Sequence, residues 1–136
     1  GPPPEINLVN EKNNGNTLLE LIDKKLILSA HDISTGGLLT CLTEMCISGN
    51  MGAKINSPKS LINLNEYFFG EDQSRYIIEI DKKNNDKIAS MLDKNSVFFE
   101  KIGNTQKEYL SLTGEFNISI KELTVLSNNW FEKYTN

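Results

Sequence analysis

Apolar positions along the chain fall into short runs whose spacing alternates between the helical and the strand period. From Thr17, the residues Leu18, Leu19, Leu21, Ile22 and Leu26 make an apolar helical face, with Lys24-Lys25 where cations suit a helix C-terminus. Leu26–Ala30 reads as a short buried strand running into a polar loop. Leu38–Ser48 predicts a largely buried helix closed by Gly49-Asn50. Met51–Ile55 predicts a short strand, Ser57-Pro58 a turn, and Ser60–Phe69 a short helix. Arg75–Ile80 carries the clearest strand alternation, with Tyr76, Ile78 and Ile80 on one face and Ile77 on the other. Asp86–Lys94 predicts a helix with Ile88, Met91 and Leu92 inward. Val97–Ile102, Glu108–Thr113 and Glu115–Ile120 predict three more strands, the last two joined at Gly114. Val125–Tyr134 predicts a final helix carrying Trp130 and Phe131, and the aromatic residues of this half fall mostly at core spacings.

Upstream of all this, Pro2–Pro4 favour an extended polyproline-type backbone and Asn10–Asn16 is polar, so residues 1–16 read as a linker. Residues 17–136 then read as one domain. Strands and helices interleave without a strict βαβ rhythm, which predicts an α+β fold, a mixed β-sheet layered with helices.

Composition narrows the function classes. With 38% apolar and 24% charged residues the chain is an ordinary globular one, not a disordered or fibrous one. A net charge of −4 argues against nucleic-acid binding. No apolar run has the length of a membrane span, and the first residues do not form a signal peptide. The chain does not begin with Met, and we expect a piece of something longer. Cys41 and Cys46 sit five positions apart on one predicted helix, roughly 140° apart around its axis, too divergent to bridge and not at a metal spacing. Two buried thiols fit a reducing, cytoplasmic setting.

Two segments carry candidate chemistry. The first is Ala30-His31-Asp32-Ile33-Ser34-Thr35-Gly36-Gly37-Leu38, between a buried strand and a buried helix. Backbone N–H groups at such a helix start can bind an anion, Ser34 or Thr35 can cap it, and His31 and Asp32 stand at the strand end. A Ser/Thr-Gly-Gly turn is equally a good helix start with no ligand at all. The second is Phe69-Gly70-Glu71-Asp72-Gln73-Ser74-Arg75-Tyr76, opening the clearest strand. Glu71 and Asp72 can ligate Mg²⁺ or orient an ammonium, and Arg75 can grip phosphate or carboxylate; a solvated turn explains them as well. Asp32, Glu71 and Asp72 also form a possible carboxylate trio, whereas Ser34, His31 and Asp32 lack any nucleophile-elbow pattern.

Taken together and in this order, His-Asp-Ile-Ser-Thr-Gly-Gly-Leu (31–38) and Phe-Gly-Glu-Asp-Gln-Ser-Arg-Tyr (69–76) resemble the final domain of the phosphoribosylformylglycinamidine synthase family. The Pro run, Glu11–Asn16 and Leu42-Thr43-Glu44-Met45 resemble the same domain, and the likeness extends from about Pro2 to Trp130. It is closest to the small, separate-subunit type. That resemblance implies a C-terminal α+β domain of the aminoimidazole ribonucleotide synthetase superfamily. It implies a parent ligase of purine biosynthesis that uses ATP and Mg²⁺ to turn an amide into an amidine, with ammonia from glutamine. The partners it implies are the remaining domains of the parent, a glutaminase subunit and a small accessory subunit. His31, Asp32, Ser34, Thr35, Gly36, Gly37, Glu71, Asp72, Gln73 and Arg75 match motifs whose counterparts in the family's other copy of this fold touch substrate. In this second copy they are expected to line a nucleotide or phosphate pseudo-site or to hold the halves together, with no catalytic residue among them and no ATP or Mg²⁺ held by these residues alone. Thr35 stands where the family usually has Asp, and Ser74 where it usually has Gly. The alternatives are a sister ATP-dependent synthetase of the same superfamily and a non-catalytic phosphate-binding module.

Overall fold

The structure, a computed structural model, describes residues 2–12, 15–33, 36–56 and 74–135, with side chains described up to residue 129. In chain order its elements are β1 (Glu5–Asn10), α1 (Asn16–Asp23), β2 (Ser29–Asp32), α2 (Gly37–Gly49), β3 (Gly52–Ile55), β4 (Arg75–Ile80), a 3-10 turn (Lys82–Asn84), α3 (Asn85–Lys94), β5 (Phe98–Gln106), β6 (Tyr109–Leu112), β7 (Phe116–Ser119) and α4 (Ile120–Thr135). The strands form one seven-stranded sheet in the order β2-β4-β1-β5-β3-β6-β7. Every described pairing is antiparallel except β3 with β6. This is the mixed sheet of an α+β fold.

The pleat divides the core in two. Ile6 and Leu8 of β1 and Ile77 of β4 pack with Leu38, Leu42, Met45 and Cys46 of α2 and Ile120 of α4. Val9 and Ile78 and Ile80 point the other way, onto Leu18 and Leu21 of α1 and Ile88 and Leu92 of α3. The expected alternation of Tyr76, Ile78 and Ile80 against Ile77 is what separates the layers.

Several sequence expectations change here. Residues 5–10, expected within a linker, form β1, a central strand bonded to β4 and β5. The run Ile6-Asn7-Leu8 is a period-two pattern, and its burial outweighs the polar context around it. The strand expected over Leu26–Ala30 is shifted to Ser29–Asp32, because α1 ends at Asp23 and the chain needs a turn before it can pair with β4. Lys24 falls at the C-cap and Lys25 beyond it, and Leu19 and Ile22 are exposed, leaving Leu18 and Leu21 as the buried pair. Phe98 and Tyr109 are exposed rather than core. The last helix starts at Ile120, five residues earlier than expected, since Ser119 Oγ accepts the Glu122 N–H (3.1 Å) and caps it. The expected turn at Ser57-Pro58 and helix over Ser60–Phe69 lie outside the described residues, as do the side chains of Trp130 and Phe131.

Candidate functional site

Antiparallel pairing of β2 with β4 brings the two motif segments to one end of the sheet. His31 faces Ile77 and Asp32 faces Tyr76 in register, and the Ile33 N–H donates to the Arg75 carbonyl (2.9 Å). On the other flank of β4, Asn10 of β1 faces Arg75, and the Glu11 N–H donates to the Ser74 carbonyl (2.9 Å). Residues 10–11, 31–33 and 74–75 thus meet, although more than forty positions separate the last pair of segments in the chain.

The pleat sorts their side chains. Half-buried His31 and Arg75 fall on the side of Ile77, the side that α2 covers. Asp32 is exposed and falls on the opposite side with Tyr76, so the structure separates His31 from Asp32. Ile33, between the strand and the glycines, is fully buried and anchors the turn.

The turn into α2 depends on glycine. Gly36 is the N-cap with φ +82°, and a Cβ there would also press on the Thr40 side chain. The cap position therefore falls to Gly36; Ser34 and Thr35, expected as caps, lie outside the described residues with Glu71, Asp72 and Gln73. With Gly36 as cap, no side chain of the N-cap residue covers the first turn. His31 and Arg75 share with α2 the side of the sheet on which Ile77 packs, and the α2 backbone N–H groups begin at Gly37.

Glu11 is the residue that sequence reasoning missed. It is 4% exposed, and its two carboxylate oxygens accept the N–H groups of Thr17 (3.0 Å) and Leu18 (3.3 Å), the first turn of α1. Gly15, the α1 N-cap, has no side chain to do this, so a carboxylate from the end of β1 caps the helix instead. No sequence signal marked it, because Asn16 and Thr17 already read as ordinary cap residues for a helix starting there. Glu11 fastens α1, β1 and the start of β4 at one point.

Below the site, burial drives the Cys46 thiol up to about 11 and the Cys41 thiol to about 12, the latter helped by the charges of Glu44 and Asp32. Cys41 Sγ lies 3.7 Å from the Asp32 carbonyl oxygen. Both thiols are buried and unbridged, and packing is their role. Among the described residues no three His, Cys, Asp or Glu side chains gather to hold a metal ion, and no helix is long and apolar enough to cross a membrane.

Residues 3–114 match the family described as AIR synthase related protein, C-terminal domain, and the chain belongs to that family. Over 134 residues, 98% of the chain, it is 49% identical to phosphoribosylformylglycinamidine synthase subunit PurL of Pelagibacter ubique and 36% identical to that of Methylocella silvestris. The chain spans only 18% of the length of these relatives. In fold it is similar to phosphoribosylformylglycinamidine synthase II of Thermotoga maritima, at 16% identity and a TM-score of 0.73 over 90% of this chain and 26% of that one.

Proposed function

We propose that the chain is the C-terminal domain of a phosphoribosylformylglycinamidine synthase subunit. The observation that carries this reading is the 49% identity over 98% of the chain to the Pelagibacter ubique subunit. In this reading the parent is an ATP-dependent carbon–nitrogen ligase of cytoplasmic purine biosynthesis. ATP phosphorylates the amide oxygen of formylglycinamide ribonucleotide. Ammonia, released from glutamine by a separate glutaminase subunit, then displaces the phosphate to leave the amidine. The structures of T. maritima PurL complexed with ATP and of T. maritima PurLQS support this reading as properties of that relative. The described residues gather no group of three His, Cys, Asp or Glu side chains for the Mg²⁺ that this chemistry implies.

The part played by these residues is to line and brace. His31, Arg75 and the Gly36-Gly37 turn are donors suited to a phosphate oxygen at the end of the sheet, with Ser34, Thr35, Glu71, Asp72 and Gln73 as further candidates from the adjoining motif segments. None is assigned a proton transfer. The test is made in the full-length subunit assayed with its glutaminase and accessory subunits. His31→Ala and Arg75→Ala are each expected to lower turnover by less than tenfold, under about 1.4 kcal/mol of transition-state stabilisation. A hundredfold loss at unchanged stability would assign the domain a direct catalytic share. A full-length subunit that forms no formylglycinamidine ribonucleotide would overturn the parent assignment.

A further inference from the structure

We propose that Glu11 is a positioning residue that acts through Arg75: it fixes the strand end that carries the guanidinium and touches no ligand itself; this rests on the reading of Arg75 as a lining residue given above. Ser74 and Arg75 are where the second motif segment passes into β4, and they are held from both flanks. On the β1 side the Glu11 N–H donates to the Ser74 carbonyl (2.9 Å), and on the β2 side the Ile33 N–H donates to the Arg75 carbonyl (2.9 Å). Each donor lies one residue past its strand, β1 ending at Asn10 and β2 at Asp32. Rungs at the end of a ladder are the first to open.

The Glu11 side chain keeps the β1-side rung closed. Its carboxylate, buried, accepts the N–H groups of Thr17 and Leu18, and charge-assisted bonds of this kind are roughly twice as strong as neutral ones. Leu18 and Leu21 in turn seat α1 among Val9, Ile78, Ile88 and Leu92. The Glu11 backbone therefore cannot shift without breaking bonds to a helix packed in the core, and Ser74 is tied to that fixed point.

A residue that did no more than cap α1 would not need its own N–H in the sheet. Glu11 does both, so the position of the α1 layer is passed across β1 to the start of β4. Asn10, its neighbour, is in register with Arg75, which places the Arg75 backbone on the same stretch of β1. A guanidinium donates through a planar fork, so its hold on an oxygen depends on where its backbone is set.

The experiment uses the full-length subunit with its glutaminase and accessory subunits. Glu11→Gln, which keeps the shape and one acceptor oxygen, is introduced alone and together with Arg75→Ala. Alone it is expected to lower kcat/KM for formylglycinamide ribonucleotide about two- to fivefold, and with alanine already at 75 by less than about 1.5-fold. Equal losses in the two backgrounds, or no loss in either, overturn the proposal, because a cap that only stabilises costs the same whichever residue stands at 75. Hydrogen exchange gives a readout independent of activity. In the Glu11→Gln subunit the Ile33 N–H should exchange at least about fivefold faster relative to the Ile120 N–H, which bonds to the Glu108 carbonyl at the far end of the sheet. A rise common to both amides, or a rise in neither, overturns the proposal. If Glu11→Gln fails to fold, Glu11→Asp, which keeps the charge on a shorter arm, is measured in the same way. An unsubstituted subunit that forms no formylglycinamidine ribonucleotide counts against the domain assignment, whereas an active one whose Ile33 exchange does not respond to Glu11 counts against the positioning role alone.

Discussion

At one end of the sheet, where β1 and β2 finish and β4 begins, the chain places Glu11, His31, Asp32 and Arg75 beside the Gly36-Gly37 turn. At the other, where β5 and β7 finish and β6 begins, it places Met51, Tyr109, Ile120 and Val125. The first end is held by hydrogen bonds that converge on a few polar groups, Glu11 above all. The second is held by backbone pressed against backbone: a Cβ on Gly52 would collide with the Tyr109 carbonyl oxygen, across the parallel contact of β3 with β6. The first end is thus most sensitive to loss of the Glu11 carboxylate, and the other to added bulk at Gly52.

Substitutions can break that contrast. The largest effect is expected at the apolar end, where Gly52→Ala should cost about 3 kcal/mol, because neither β3 nor β6 can move aside within the sheet. A denaturant midpoint giving less than 1 kcal/mol would mean that the strands can part. At the polar end, Glu11→Ala should cost about 2 kcal/mol by leaving the Thr17 and Leu18 N–H groups unpaired in a buried setting, and Glu11→Gln about half of that. Equal losses for the two variants in thermal melts would show that Glu11 acts by filling space. Gly36→Ala should cost about 1 kcal/mol through its φ of +82° alone, more if Thr40 cannot turn away.

The cysteines sharpen the comparison through pH, with the smallest effect. The ordinary thiol value is 9.0, and burial lifts Cys41 to about 12 and Cys46 to about 11. An unfolded chain ionises both thiols at a lower pH than the folded one. Their contribution to stability is therefore full below pH 9 and is lost as pH rises towards 11 and 12. At pH 8 and under native conditions, alkylation of either thiol should run at least about a hundredfold slower than that of a free thiol. Fast labelling of Cys41 alone would show that the β2–α2 turn opens while the apolar end stays shut.

How much of this was legible follows from the residues. β4 was, because six positions alternate without interruption and each side meets its own layer. β1 was masked: prolines before it and asparagines within it read as linker, although Asn7 is 3% exposed in the sheet. The end of β2 was placed two residues early, and that shift decides whether His31 and Asp32 sit in a loop or on opposite faces of a strand. His31 and Arg75 were both singled out, but only the β2–β4 register brings them together, and register is a long-range property that local patterns do not contain. Glu11 escaped as a cap because its targets lie six and seven residues away, outside the usual capping distance. The exposure of Tyr109 escaped because it sits on a strand spacing that reads as core.

The place of β1 in the sheet also governs when the domain can fold. Glu5 is in register with Ile80 on one side and Asn104 on the other, so the domain's first strand is locked by two strands made much later. At about 5–20 residues per second, synthesis leaves Ile6, Leu8 and Val9 without their strand partners for several seconds. The local pieces, α1 and α2, can form in that interval, while the sheet has to wait for its middle to close. Folding of the domain is then limited by the contact of β1 with strands of the domain's second half, and a nascent chain stopped before Asn104 has no complete sheet to fall back on.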